Sequence, residues 1–241
     1  MKRRGTESRE WRVHRVGIAD STQDMAREFA LQGDRGPLAI VAETQRRGRG
    51  RRGRRWLSPR GGLYASLLTP PRELLFAHAG LAVADALGEI GVEPTLSWPN
   101  DVFVRDRKIA GILIEVVART AIVGIGINVR ASPLPTATSI AAEGGSRLDA
   151  PELLRSLLAS FDASTATDPL PRYRARCSVL GREVRVERIS SAEETALVGR
   201  AIDIDGAGRL LVARDDEVVA VSSGDCALLT ARSPGEVKGG G

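Results

Sequence analysis

The chain has 241 residues, 42% of them hydrophobic, and a formal net charge of +5. That is enough apolar material for one large core, or a large and a small one, and it excludes a wholly disordered chain. Two cysteines and two isolated histidines exclude a disulfide framework and a histidine-built metal centre; a cytoplasmic home is expected, and no membrane span, because no apolar run approaches ~18 residues.

Residues 1–10 are polar and are expected to be loose. Residues 13–19 alternate weakly and predict a strand. Asp20, Ser21 and Thr22 are capping residues for a helix over 23–32, which Gly33 and Gly36 end. A strand over 37–44 then runs into residues 46–55, RRGRGRRGRR, with seven arginines, three glycines and no apolar side chain. This loop alone outweighs the chain's net charge, so the rest is net acidic and the basicity is local. A general nucleic-acid binder spreads its cations over a whole face. Gly48, Gly50 and Gly53 let the loop close around a ligand, and arginine forks suit phosphate or carboxylate. By itself the loop fits two readings: a phosphate clamp that orders on its ligand, or a solvated basic loop or RNA-binding patch.

SPRGG (58–62) is a turn, and 63–69 is a strand that Pro70 and Pro71 break. The alanine-rich 76–90 has helical apolar spacing. Residues 96–98 are short and extended. Residues 102–104 and 110–117 predict a hairpin around a turn at 105–108. AIVGIGINV (121–129) is a strand whose glycines mark close approach of a backbone or ligand, or packing alone. A loop over 132–146 precedes a helix over 150–161, with Pro151 in its first turn, and a helical piece over 172–180. From Gly181 the pattern becomes short alternating strands with glycine turns, among them Asp205-Gly206, and predicts a small β-barrel. The closing SPGEVKGGG is expected to be disordered.

Three stretches carry a resemblance: ETQRRGRGRRGRRWLSPRGGLYASL, SWPNDVFVRDRKIAGILIE and GIGINV. In this order, with DSTQ before them and RYRARCSVLGREV leading into the barrel, the chain resembles the biotin protein ligases over about residues 12–230. The resemblance implies an α+β fold. Its catalytic domain is of the biotin–lipoate ligase type, like the core of class II aminoacyl-tRNA synthetases, with a mixed β-sheet over 1–180. An SH3-like β-barrel over 181–231 and a tail over 232–241 follow. The short N-terminus leaves no room for a winged-helix DNA-binding domain, so the monofunctional form is expected, with no specific DNA partner.

Residue by residue, the resemblance implies that Ser21, Thr22, Gln23 and Gln45 hold biotin. Arg49, Gly50 and Arg51 meet its carboxylate and the adenylate phosphate. Lys108 is the active-site lysine, with Arg51 as its catalytic partner, and Gly111 lies beside them. Arg49, Arg51, Arg52, Trp56, Asn100 and Asn128 are expected on the nucleotide side, with Trp98 lining the site. Asp101 is the nearest candidate for Mg²⁺, which is expected with ATP. The family usually has a lysine before WPND; this chain has Ser97. The implied reaction forms biotinyl-5′-AMP from biotin and ATP, then biotinylates a lysine of a biotin carboxyl carrier domain of an acyl-CoA carboxylase.

Elementary chemistry agrees with these assignments. A ligand with a neutral polar ring, an apolar chain and one carboxylate needs amides and hydroxyls at one end and cations at the other. Joining two anions needs electrostatic neutralisation rather than a nucleophilic side chain. The plainer readings are that Ser21 and Thr22 only cap a helix, Lys108 is a turn lysine and Trp98 is core. A lipoate or octanoate ligase on the same fold is the rival enzyme. Non-specific nucleic-acid binding is the rival of another class, although aromatics are only 4% of the chain and none interleaves with the arginines.

Overall fold

The structure is a computed structural model that describes residues 10–145, 149–189 and 194–229. Of the loose start expected over 1–10, residues 1–9 lie outside the described residues, as does the tail over 232–241. The chain divides after Ser178 into two compact units.

The first unit is built on a seven-stranded mixed sheet. Its strands are β1 (Arg12–Ala19), β2 (Leu38–Gln45), β3 (Leu63–Thr69), β4 (Thr95–Ser97), β5 (Asp101–Val104), β6 (Arg107–Val117) and β7 (Thr120–Ile127). They lie in the order β1-β2-β3-β7-β6-β5-β4. β1 and β2 are parallel, and helix α1 (Thr22–Leu31) makes the crossover between them; the other pairings are antiparallel. All of β3 is buried at the middle of the sheet.

Helix α1 starts where the capping residues place it. The Ser21 hydroxyl accepts from the Asp24 N–H, and the left-handed Gly33 (φ 96°) follows the last turn. Ala26 and Ala30, one turn apart, pack with Met25 and Phe29 against Leu38, Ile40, Leu68 and Ile122 of the sheet. Helix α2 (Leu75–Gly88) is buried on nearly every side and packs mainly against α3 (Ala150–Ser164). A capping box between Asp149 and Glu152 opens α3, with Pro151 in its first turn.

The helical piece expected over 172–180 is α4 (Leu170–Arg176), which begins and ends earlier. Asp168 accepts the Leu170 N–H at its start. After Cys177 the Ser178 N–H bonds to the Leu96 carbonyl (2.8 Å), drawing the chain out of the helix and onto β4.

The second unit is an antiparallel sheet of β8 (Glu183–Ile189), β9 (Glu194–Ile204), β10 (Leu210–Arg214), β11 (Glu217–Val221) and β12 (Asp225–Leu228). The order is β11-β10-β9-β8-β12. Asp205 sits in the β9–β10 reversal and accepts from the Ala207 and Arg209 N–H groups. These short strands match the small SH3-like domain expected there. Among the described residues no helix is long and apolar enough to cross a membrane.

Candidate active site

Strands β3, β7 and β6 floor a cavity of about 190 Å³. Gly111 of β6 pairs with Gly126 of β7, and Gly124 stands between Ser66 of β3 and Leu113 of β6. Each glycine faces a side chain of the cavity. A β-carbon on Gly124 would lie 2.5 Å from Gln23 Oε1; one on Gly126 would lie 2.3 Å from Trp56 Nε1; one on Gly111 would lie 3.0 Å from Trp56 Cζ3. The glycines of GIGINV are therefore small so that Gln23 of α1 and Trp56 can approach the sheet.

Amides and hydroxyls close one end. The Thr22 N–H donates to Gln45 Oε1 (2.9 Å), and the Thr22 and Ser66 hydroxyls are 2.9 Å apart. Ser66 donates to Gln23 Oε1 (3.0 Å), Gln23 Nε2 donates to the Glu115 carboxylate (2.8 Å), and Gln45 Nε2 donates to Ser58 (2.8 Å). Thr22, Gln23 and Ser66 are all buried, as polar groups are only when hydrogen-bonded.

Cations mark the other end. Arg51 donates to Asn100 Oδ1 (2.6 Å). The Lys108 ammonium lies 2.7 Å from the Asp101 carboxylate and 5.5 Å from the centroid of the Trp56 ring. The Trp56 indole N–H is buried without a hydrogen-bond acceptor. Lys108 is not in the hairpin turn, as the sequence suggested. The reversal needs only Arg105 and Asp106, both left-handed (φ 47° and 62°), so β6 begins at Arg107. Lys108 pairs with Phe103 beside a register shift, and its carbonyl accepts the Thr138 N–H. It is a strand residue fixed on both sides.

The arginine loop is closed on itself. The Trp56 N–H bonds to the Gly48 carbonyl (2.9 Å), Gly50 N–H to Arg54 carbonyl (2.8 Å), and Arg49 bridges to Arg55. A β-carbon on Gly48 would lie 2.4 Å from the Trp56 carbonyl oxygen, so glycine is required there. Distant carboxylates take up part of the charge. Arg46 and Arg47 face Asp20, and Arg49 bridges Asp24 (2.8 Å) and Glu115 (3.0 Å). Burial lowers the pKa of Arg49, but its bonds to Asp24 and the charge of Glu115 more than offset this and raise it above arginine's ordinary value. The loop's anchors are thus acids on α1, before it and on β6, which a local reading of residues 46–55 does not contain.

A loop after β7 supplies the last wall. Asn128 Nδ2 donates to the Thr138 carbonyl (2.9 Å). The buried Glu143 accepts from Arg107 (2.6 Å) and Thr138 (2.5 Å), tying this loop to the β5–β6 hairpin. Leu134, half exposed, reaches the cavity from it.

Of the residues expected from sequence, Thr22, Gln23, Gln45, Arg49, Gly50, Arg51, Trp56, Asn100, Lys108 and Gly111 line this cavity. Ser21, Arg52, Trp98, Asp101 and Asn128 do not. Ser21 caps α1, Trp98 is buried core, Arg52 is exposed with a left-handed backbone (φ 55°), and Asn128 acts through the loop it holds. As a protein-held Mg²⁺ ligand Asp101 does not fit: its carboxylate is engaged by Lys108 and by Asn100 Nδ2 (2.8 Å). Among the described residues no cluster of three or more metal-ligating side chains exists. The sequence reading missed Ser66 and Leu134, and it marked Gly124 and Gly126 only as glycines of the GIGINV strand. For Ser66 a signal was present: a serine hydroxyl in the middle of the largely apolar LYASLLT strand needs a partner when the strand is buried.

Residues 17–132 match the biotin/lipoate A/B protein ligase family, and residues 179–229 match the biotin protein ligase C-terminal domain. The chain is 37% identical over 224 residues to a biotin–[acetyl-CoA-carboxylase] ligase of Mycobacterium tuberculosis, covering 84% of this chain and 83% of that protein. It is 32% identical to the bifunctional ligase/repressor BirA of Escherichia coli, covering 80% of this chain and 67% of the relative. A biotin protein ligase from Aquifex aeolicus, solved in complex with biotin and ATP, superposes with a TM-score of 0.78 at 29% identity, covering 91% of this chain and 99% of that one.

Proposed function

This chain belongs to the biotin protein ligases, and on that premise we propose that it joins biotin to a lysine of an acyl-CoA carboxylase carrier domain in two ATP-dependent steps. The observation that carries the reading is the polarity of the cavity. Thr22, Gln23 and Ser66, all buried, and the half-buried Gln45 set amides and hydroxyls at one end, with cations of Arg51 and Lys108 at the other and a glycine floor between them. A neutral cyclic urea, an apolar chain and a carboxylate need that sequence of environments.

In the first step a biotin carboxylate oxygen attacks the α-phosphorus of ATP, and pyrophosphate leaves. Two anions must approach each other, so the work is positioning and neutralisation. Arg51, steadied by Asn100, orients the phosphoryl group, and Lys108 offers its ammonium to the oxygens on which charge grows. In the second step the carrier's ε-amine, as the free base, attacks the biotinyl carbonyl. The carbon–oxygen bond to the phosphate breaks, AMP leaves with the electron pair, and the amine loses a proton. Lys108 serves the same oxygens again. The closed arginine loop and Trp56 keep water from the mixed anhydride between the steps. Mg²⁺ would enter with the nucleotide's phosphates and supply further charge neutralisation; among the described residues no cluster of three or more metal-ligating side chains stands ready for it.

The test is incubation with biotin, MgATP and a carboxylase carrier domain. A mass gain of one biotinyl group on the carrier, lost when ATP is left out, is expected. A carrier of unchanged mass beside a folded, biotin-bound protein overturns the proposal.

A further inference from the structure

Glu115 has no place in the mechanism above, yet it ends the row of polar groups at the closed end of the cavity. It accepts from Gln23 Nε2 (2.8 Å) and pairs with Arg49, with its side chain only 21% exposed. A carboxylate only accepts, so it dictates which way the Gln23 amide faces. Gln23 must give Nε2 to Glu115 and keep Oε1 for Ser66. Ser66 has one hydrogen and gives it to that oxygen. With the Ser66 hydrogen committed, the Thr22–Ser66 contact of 2.9 Å is donated by Thr22, whose one hydroxyl hydrogen turns from Gln45 Oε1 (3.1 Å), an oxygen that the Thr22 backbone N–H already serves (2.9 Å). Each hydrogen in the row is turned towards Glu115, and lone pairs on Thr22 and Ser66 are left for the cavity. Gly124 is part of the device, because a β-carbon there would fall 2.5 Å from Gln23 Oε1.

We infer that Glu115 is a positioning residue that poles this hydrogen-bond row and thereby makes the cavity selective for a ligand head that presents N–H donors. The inference rests on the biotin reading and deepens it. A site whose buried acceptors are prearranged for N–H groups rejects a chain acid that lacks them, because those acceptors would be left unpaired. Glu115→Gln breaks the logic with almost no change of shape. A glutamine can donate as well as accept, so Gln23 is free to turn over, Ser66 recovers its hydrogen, and a donor faces the ligand's donor.

The experiment measures dissociation constants for biotin, desthiobiotin and octanoate with the full chain. The first two acids carry a cyclic urea and the third does not. In the parent, both ureas should bind far more tightly than octanoate. In Glu115→Gln the urea-to-octanoate ratio should fall by about ten-fold or more, with octanoate itself little changed. Gln23→Met removes the amide but leaves Glu115 on Arg49, and it should narrow the ratio alike. Adding Glu115→Gln to Gln23→Met should narrow it no further. An unchanged ratio in Glu115→Gln, an equal loss of all three ligands, or a further loss in the double variant that traces the effect to Arg49, each overturns the inference. A parent that binds neither urea overturns the biotin reading as well, which separates the two failures.

Discussion

The Lys108 ammonium and the Asp101 carboxylate meet at 2.7 Å across the β5–β6 hairpin, within reach of the Trp56 ring. Asp101 also stands opposite Ser97 in the β4–β5 ladder, the position where the family usually has a second lysine. Lys108 is therefore the cation that this carboxylate holds. Fixed on a strand and aimed along Asp101, it is preorganised in the way electrostatic catalysis requires.

Lys108→Ala should accordingly slow both half-reactions. Loss of a preorganised donor costs about 3–4 kcal/mol, or roughly 10²–10³ in rate. Lys108→Arg should recover only part of this, since a planar fork does not replace a compact ammonium. Pyrophosphate release and transfer from pre-formed biotinyl-AMP are to be measured separately. Rates within a few-fold of the parent in both would make Lys108 an ordinary strand lysine.

Arg51 is coupled to the opposite wall by its 2.6 Å bond to Asn100. Arg51→Ala should let biotinyl-AMP dissociate faster, because in the proposed mechanism the same guanidinium orients and shields the anhydride. Asn100→Ala should do so more weakly, by about three- to ten-fold, as one supporting hydrogen bond is removed. Stopped-flow release of the adenylate checks both; parent-like dissociation in Arg51→Ala would remove that residue from the phosphate.

Much of this was legible in the sequence, and for identifiable reasons. Ser21 before α1, Pro151 in the first turn of α3 and the apolar runs of β2 and β3 are local signals, and the structure keeps them. What the sequence hid depends on partners far along the chain. The hairpin turn was drawn too long because two consecutive left-handed residues, Arg105 and Asp106, reverse the chain without glycine. The arginine loop looked anchorless because Asp24 and Glu115 lie 25 and 66 residues from Arg49. Ser66 was read only as part of a strand, since the oxygen of Gln23 that needs it is 43 residues away.

The two glycines of β7 allow a paired test. Gly124→Ala would drive a methyl into Gln23 Oε1 and Gly126→Ala into Trp56. The two positions lie two residues apart on one face but serve different ends of the cavity. Gly124→Ala should weaken biotin binding about ten-fold or more, with a smaller effect on ATP. Gly126→Ala should raise the KM for ATP, with a smaller effect on biotin. Steric overpacking of this kind also costs about 1–3 kcal/mol of stability, so each is measured well below its Tm. Identical changes in both constants for both variants would argue that the glycines serve packing alone.

The last expectation concerns His78 on α2, buried against α3 with its Nδ1 3.2 Å from the Ser164 hydroxyl. Burial lowers its pKa below the ordinary 6.5 and the Arg72 charge lowers it further, while Ser164 and the Asp168 charge oppose this only in part. The folded protein thus keeps His78 neutral at pH values where the unfolded chain already binds the proton. Stability that is complete above pH 6.5 should fall as pH drops from 6.5 towards the folded value, with a slope from this one group of at most about 1.4 kcal/mol per pH unit. Asp34 does not share that window. Its partial burial raises its pKa, but the Arg12 hydrogen bond and the bonds from the Gly36 and Arg35 backbone lower it below 3.8, so its contribution is lost only in stronger acid. His78→Gln, which keeps a polar side chain but has no proton to gain, should flatten the slope that begins as pH falls through 6.5. Urea unfolding across that range measures it directly, and a parent whose stability is level from pH 7 to 5 would show that the α2–α3 contact opens enough to hydrate the imidazolium.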